Sequence, residues 1–299
     1  MDRDLFFETY YKTATKQDRS YAEKILNTIE QTYNQNGFAE ALASKEFVSA
    51  LFSYRYDGRS SEIKRTSSMS KSHYFKTKAV LQNIAASENI RIQVPSFGEI
   101  LQCCTLNTLF QNVYSAIDFI DRVGAKLLTG YNKNTELLFY KTVVVLSWHG
   151  LSADEMVLVK KEDIRLDGLQ TPNEVLPMSA TEVCILQNMA TATQGRSLPR
   201  GKAIYYVNSD KLVPVQKEGC SATSQTINNS ISRFNKIALG TGEEKQLSLS
   251  GLKQSGIFER VSKISQNNVV TAIQQVTHCP YPMAYSMAKN YKFWLNLLK

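Results

Sequence analysis

Seven basic side chains fall between Tyr54 and Lys78: Arg55, Arg59, Lys64, Arg65, Lys71, Lys76 and Lys78. Only Asp57 and Glu62 oppose them, so the window carries 7 − 2 = +5, more than half of the chain's 35 − 27 = +8. Tyr54, Tyr56, Tyr74 and Phe75 are interleaved with these charges, and the run Thr66-Ser67-Ser68-Met69-Ser70-Lys71-Ser72 adds hydroxyls. Ammonium and guanidinium groups neutralise phosphates, and hydroxyls donate to phosphate oxygens. The chemistry on offer is therefore the holding of a polyanion. The plainer alternative is a solvated loop, a flexible turn at Thr66–Ser72, followed by an ordinary helix.

Other chemistries find no constellation. His73, His149 and His278 are scattered, so no metal site is expected. No phosphate-cradling loop or dinucleotide fingerprint is present, and no cofactor is expected. Cys103, Cys104, Cys184, Cys220 and Cys279 form no CxxC pair or disulfide framework. A reduced, cytoplasmic setting is the expectation. Met1-Asp2-Arg3-Asp4 opens into a polar helix, so no signal peptide is expected, and no run approaches the ~20 apolar residues of a membrane span. A basic chain with 43% hydrophobic residues can build a core and favours nucleic acid as its anionic partner, with no membrane partner.

At 299 residues two domains are expected. Residues 4–36 read as helix, with Gly37 after Asn34-Gln35-Asn36 as a stop, and a second helix covers Ala39 to Phe52. Helical spacing from Ser72 to Ser87 puts Tyr74, Leu81 and Ile84 on one face and Lys71 and Lys78 on another. Pro95 and Gly98 break the periodicity across 91–98, which gives domains 1–98 and 99–299. Helices are expected near Leu106–Val123, with Thr105 as N-cap, and Thr135–His149. A strand hairpin follows, with arms 163–166 and 174–178 around a turn at 167–173. Ser179 and Glu182 have capping-box spacing. Ala203–Val207 reads as a strand, and Gly240-Thr241-Gly242-Glu243 as a turn. Ile227, Ile231, Phe234 and Ala238 mark an amphipathic helix over Thr223–Leu239, and three more helices are expected near 248–263, 266–276 and 282–298.

The stretch Ser147-Trp148-His149-Gly150-Leu151-Ser152-Ala153-Asp154-Glu155-Met156-Val157-Leu158, continuing to Asp163-Ile164, resembles the start of the catalytic core of tyrosine recombinases, the phage-integrase superfamily. Gly150, Leu151, Glu155, Leu158, Asp163 and Ile164 match that pattern. The fold class it implies is mostly α: a helical core-binding-like N-terminal domain, then an integrase-like domain of helices with a small β-hairpin or sheet. The resemblance covers about residues 100–299, and 1–98 only by position, helicity and charge.

The family cuts DNA with a tyrosine, two arginines, a hairpin lysine and His or Trp donors, because negative charge builds on the phosphate oxygens under attack. This chain departs at each position. Ser152 stands at the first arginine, and no lysine falls between Lys161 and Lys202. Ser250-Gly251-Leu252-Lys253 resembles the family's His-x-Leu-Arg, with Ser250 for the histidine and Lys253 for the second arginine. Tyr285 and Tyr291 are both candidates for the nucleophile position; half-buried helix aromatics are the plainer reading of each. A hydroxyl does not replace a bidentate guanidinium, so the resemblance implies a DNA-binding protein without catalytic residues, Lys253 still holding a phosphate.

Within the superfamily the chain is similar to the lysogeny repressors of SPbeta-type prophages. That similarity implies a nucleoid-associated repressor of phage lytic genes. Its implied partners are double-stranded DNA and, as further partners, a second copy through the C-terminal helix or a regulatory phage protein. The alternatives are an active strand transferase using Tyr285 or Tyr291, and an accessory partner of a recombinase.

Overall fold

The computed structural model describes the chain except residues 34–37, 53, 57–62, 66–70, 173, 217–219, 244, 265–267 and 299. The side chains of 31–33, 46, 50, 54–56, 63–65, 71 and 103–105 also lie outside the description. The described chain is mostly helical, with small antiparallel sheets. It divides into two compact units, Met1–Thr105 and Leu106–Lys299. The division falls after Thr105, not after Gly98, because Pro95 and Gly98 stand just before and inside a further helix, α6 (Phe97–Leu106). Ser96 caps it, its Oγ accepting from Glu99 N.

In the first unit the expected helix over 4–36 is two helices, α1 (Arg3–Tyr10) and α2 (Lys16–Tyr33). Asp2 caps α1 by accepting from Asp4 N and Leu5 N. Thr15 starts α2, its Oγ1 accepting from Asp18 N at 3.1 Å. The break lets Phe6 and Phe7 of α1 share a core with Ile25, Leu26 and Ile29 of α2. The stop proposed at Gly37 lies outside the described residues. The expected helix over 39–52 is also two, α3 (Phe38–Ala43) and α4 (Lys45–Phe52), parted at Ser44, whose Oγ accepts from Phe47 N.

The basic window, expected as a solvated loop and turn, contains two strands. β1 (Tyr54–Tyr56) and β2 (Ile63–Arg65) pair antiparallel, with Arg55 opposite Lys64 and Tyr54 opposite Arg65. Helix α5 (Lys71–Ser87) follows and buries Tyr74, Leu81 and Ile84, the face its spacing predicts.

The second unit is built round α8 (Leu138–Trp148). Leu138 and every residue from Lys141 to Trp148 are buried, so the helix is enclosed on all sides. The buried Lys141 is neutralised there by Asp121, 2.6 Å away. Before it lies α7 (Val113–Leu127), capped by Asn112. Thr105 is therefore not the N-cap: it sits inside α6, and the chain turns through 107–112 before Asn112 supplies the capping oxygen. After α8 come α9 (Ala153–Met156) and a three-stranded sheet, β3 (Ile164–Arg165), β4 (Gly168–Gln170) and β5 (Val175–Pro177), in that order. The segment read as a turn thus holds the central strand. Its Leu169 pairs with Ile164 and Leu176 and is fully buried, which outweighs the turn-forming residues around it.

Helix α10 (Ala180–Thr191) begins with the expected capping box of Ser179 and Glu182. The strand expected at Ala203–Val207 is β7 (Ala203–Tyr205), paired with β6 (Gln194–Arg196). Four helices close the unit: α11 (Ser224–Gly240), α12 (Leu249–Ser262), α13 (Val269–Thr277) and α14 (Tyr281–Leu295). Ile227, Ile231, Phe234 and Ala238 of α11 are buried as their spacing predicts.

Helices α8 and α12 touch at backbone distance. A Cβ built on Gly256 would lie 2.0 Å from the Trp148 carbonyl oxygen. Gly256→Ala is expected to cost about 1–3 kcal/mol, the range for overpacking. Gly240→Ala, with no atom within 4 Å of its added methyl, is the control and should be near neutral. Urea unfolding of both variants checks this; equal stabilities would show that the two helices are not held by this contact.

Candidate functional site

Of the residues aligned with the resemblance, Gly150, Ser250 and Lys253 line one cleft of the second unit, of about 1290 Å³. Its wall is made where α8 ends. His149 is the C-cap, and Gly150 takes a φ of +101°, a backbone region open to glycine. The chain then re-enters helix at Ser152. Ser152 Oγ accepts from Glu155 N at 3.3 Å, while Glu155 Oε2 accepts from Ser152 N at 2.7 Å. The serine hydroxyl is thereby engaged as a helix cap. The Glu155 carboxyl is held below its ordinary value by the Ser152 backbone and hydroxyl bonds, with Lys253 adding to the effect.

Lys253 comes from α12. Its Nζ donates to the Gly150 carbonyl at 2.6 Å while the side chain stays exposed. Ser250, one turn earlier, lies 3.0 Å from the Ser248 hydroxyl and also lines the cleft. The structure thus brings Ser250 and Lys253 to the cleft at the turn that Ser152 closes.

The tyrosines do not join them. Tyr291 is buried, stacked on Trp294 at 5.8 Å and packed edge-on against Phe258; burial pushes its hydroxyl up. It is a core residue of the α12–α14 cluster. Tyr285 is half exposed, stacked on Tyr281 with Lys289 Nζ over its ring at 4.9 Å. Helix α14 offers Met283, Ser286 and Met287 to the cleft instead. Tyr285 is two positions from either methionine, about 200° round the helix.

Two cleft groups escaped sequence reasoning. Arg260 lies seven residues beyond Lys253, two turns on along the same helix face. Its Nη1 donates to Trp148 O at 3.4 Å, and burial pulls its pKa down. The i, i+7 spacing of the two cations was the available signal. His149 is a helix-end residue, as its position suggests, and it also bonds Glu182 at 2.8 Å through Nε2. No local sequence pattern links residues 149 and 182. Glu182 also accepts from Ser179 N and Oγ, at 2.7 and 2.6 Å.

In the first unit, Arg55 lies on β1, Lys64 and Arg65 on β2, and Lys71 opens α5. Their side chains, and the whole of Arg59 and the Thr66–Ser70 run, lie outside the described residues. Lys76 is exposed and bonded to Asp18 at 2.8 Å; Lys78, further along α5, is partly exposed. Among the described residues no group of His, Cys, Asp and Glu could hold a metal ion, and no helix is long and apolar enough to cross a membrane. No protein-family model matches the chain, and no curated protein sequence matches it.

Burial on its own would raise the Glu182 pKa, but the bonds from His149 and Ser179 outweigh it and hold the carboxyl below its ordinary 4.5. A depressed folded value means this stabilisation is complete above about pH 4.5 and is lost as pH falls through the folded value. Glu182→Gln should cost about 1–3 kcal/mol at neutral pH, the cost of disrupting a buried bonded group. It should also flatten the acid limb of stability against pH. Urea titrations from pH 7 to pH 3 check this; an acid limb as steep as the parent's would remove Glu182 as its source.

Proposed function

We propose that this chain binds double-stranded DNA sequence-specifically, on a scaffold of the tyrosine-recombinase kind, and holds it without cutting. The observation that carries the reading is the cleft at the end of α8. Ser250 and Lys253, which the resemblance sets at a catalytic histidine and arginine, line it, and Lys253 Nζ bonds the Gly150 carbonyl at the turn that leads to Ser152. Against strand transfer stand the hydroxyl at position 152, the burial of Tyr291 and the turning away of Tyr285 from the cleft. Losing one preorganised donor costs about 10²–10³ in rate, so losing several leaves no useful cutting.

Charge supports the duplex as the partner. The first unit totals 14 − 12 = +2, yet its 54–78 window is +5 and the remainder 7 − 10 = −3. Arg55 and Lys64 are Cα partners in the β1–β2 register, so the fold brings two basic positions of this window together. Occupancy without cleavage is what a repressor needs, and a lysogeny repressor of a phage, nucleoid-associated in a bacterial cytoplasm, is the role proposed. A second copy bound through the outward residues of α14, or a regulatory phage protein, is the accompanying protein partner in this reading. Tyr281 and Tyr285 are exposed there.

Affinity for duplex DNA should fall steeply with salt, by roughly 0.9 in log K per log salt for each phosphate neutralised. The triple variant Arg65→Glu, Lys71→Glu, Lys76→Glu should lose about 100-fold or more while its melting curve is retained. Fluorescence anisotropy at graded salt measures both, and unchanged affinity in the triple variant would sink the claim that this window holds DNA.

A nicked suicide duplex should yield no covalent adduct with the parent chain, nor with Ser152→Arg combined with Lys253→Arg. Tyr285→Phe and Tyr291→Phe should bind as the parent does. A phosphotyrosyl adduct, seen by denaturing electrophoresis, would refute the non-cutting reading.

A further inference from the structure

Helix α5 has two different sides. Inward, Tyr74 Oη donates to Pro95 O at 2.8 Å, Thr77 Oγ1 meets Tyr21 Oη at 2.6 Å, and Leu81 and Ile84 are fully buried. Outward, Phe75, Ala79, Gln82 and Ala86 are all exposed. At about 100° per residue they fall on one stripe along the helix. Phe75 keeps 59% of its surface in water, although the helix has a fully packed opposite face.

The flanks of the stripe are cationic. Lys76 lies to one side of it and Lys71 and Lys78 to the other by the same spacing. The 17 residues of α5 include no Asp or Glu. Lys76 is held by Asp18 of α2, an exposed pair weak enough to exchange for a phosphate. A neutral stripe between two cationic edges complements a DNA groove, where base edges lie between two phosphate backbones. The major groove, about 12 Å wide, admits one α-helix. Ala79 at the middle of the stripe allows close approach.

We propose that α5 is the reading helix, lying in the major groove with Phe75, Ala79 and Gln82 against base edges and the flanking lysines on the two phosphate backbones. This rests on the duplex-DNA reading above and names the element that gives it sequence preference. Glutamine pairs bidentately with adenine N6 and N7, and an aromatic or methyl surface packs on the thymine 5-methyl. Phe75 and Gln82 are seven residues apart, about 10.5 Å along the axis. At 3.4 Å per base, a thymine and an adenine about three base pairs apart are the expected contacts.

The test is selection from a random duplex library with the full chain, with Phe75→Ala and Gln82→Ala, and with Leu166→Ala as an exposed apolar control in the second unit. A parallel single-stranded RNA library is run beside it. All three substituted residues are exposed, and thermal melts verify that the folds survive. The expected result is a parent motif with A·T pairs. Phe75→Ala should lose the thymine preference at one position and Gln82→Ala the adenine preference at another, each by about 10- to 100-fold. Low-salt affinity for bulk DNA should stay unchanged, and Leu166→Ala should select the parent motif. A parent motif that both stripe variants also select would overturn the assignment of α5 and leave the DNA reading standing. A parent chain selecting no duplex motif, or selecting only RNA, would overturn both.

Discussion

The contact between Gly256 and the Trp148 carbonyl sets the geometry of everything at the cleft. With no side chain at 256, α12 lies directly on the end of α8. Trp148 Nε1 then reaches Glu259 at 2.9 Å, and Ser147 Oγ reaches the Leu249 carbonyl at 2.9 Å. Both bonds cross between the same two helices, on either side of the glycine. Once α12 is fixed, Lys253 falls opposite Gly150, and Arg260 falls beside Trp148 O. A bulkier residue at 256 would lift α12 away, and the cations would leave the turn that they now border.

That turn is built for a short polar side chain. Ser152 closes a capping box within a helix of only four residues, so Glu155 has few other ways to be fixed. A guanidinium at 152 would remove the capping oxygen, at about 1 kcal/mol, and would put a second cation near Lys253. Lys253, meanwhile, has its Nζ on a carbonyl. That bond ties α12 to the turn and fixes where the lysine head lies at the cleft.

What could be read from the sequence followed from periodicity. The buried faces of α5 and α11 and the Ser179 cap were legible because each is decided within a few residues of its own segment. The breaks at Thr15 and Ser44 were not, because both segments are rich in helix formers and the chain bends there to bring its helices into one shared core. Strand β4 was hidden in a turn-like composition; only pairing on both sides, around Leu169, makes it a strand. Ser250 and Lys253 were singled out through a motif, and both line the cleft. Arg260 and the His149–Glu182 pair were not, because tertiary contact alone brings them to the cleft. Tyr285 and Tyr291 could not be distinguished by spacing, since burial, which separates them, depends on how α14 packs against α12 and α13.

The distribution of charge decides where a polyanion would be gripped. In the second unit many lysines already serve the fold. Lys245 donates to the Leu106 and Leu109 carbonyls, both at 2.7 Å, and burial lowers its pKa to about 8. Lys141, Lys126 and Lys263 each face a carboxylate. A positive total of 21 − 15 = +6 therefore overstates what that unit offers to a ligand. The first unit has the smaller total but segregates it, with +5 in 54–78 set against −3 elsewhere. Screening limits an exposed charge to about 8–10 Å at physiological ionic strength. At that range it is local density, not net charge, that sets the field at a surface, and the first unit concentrates its positive charge in 54–78.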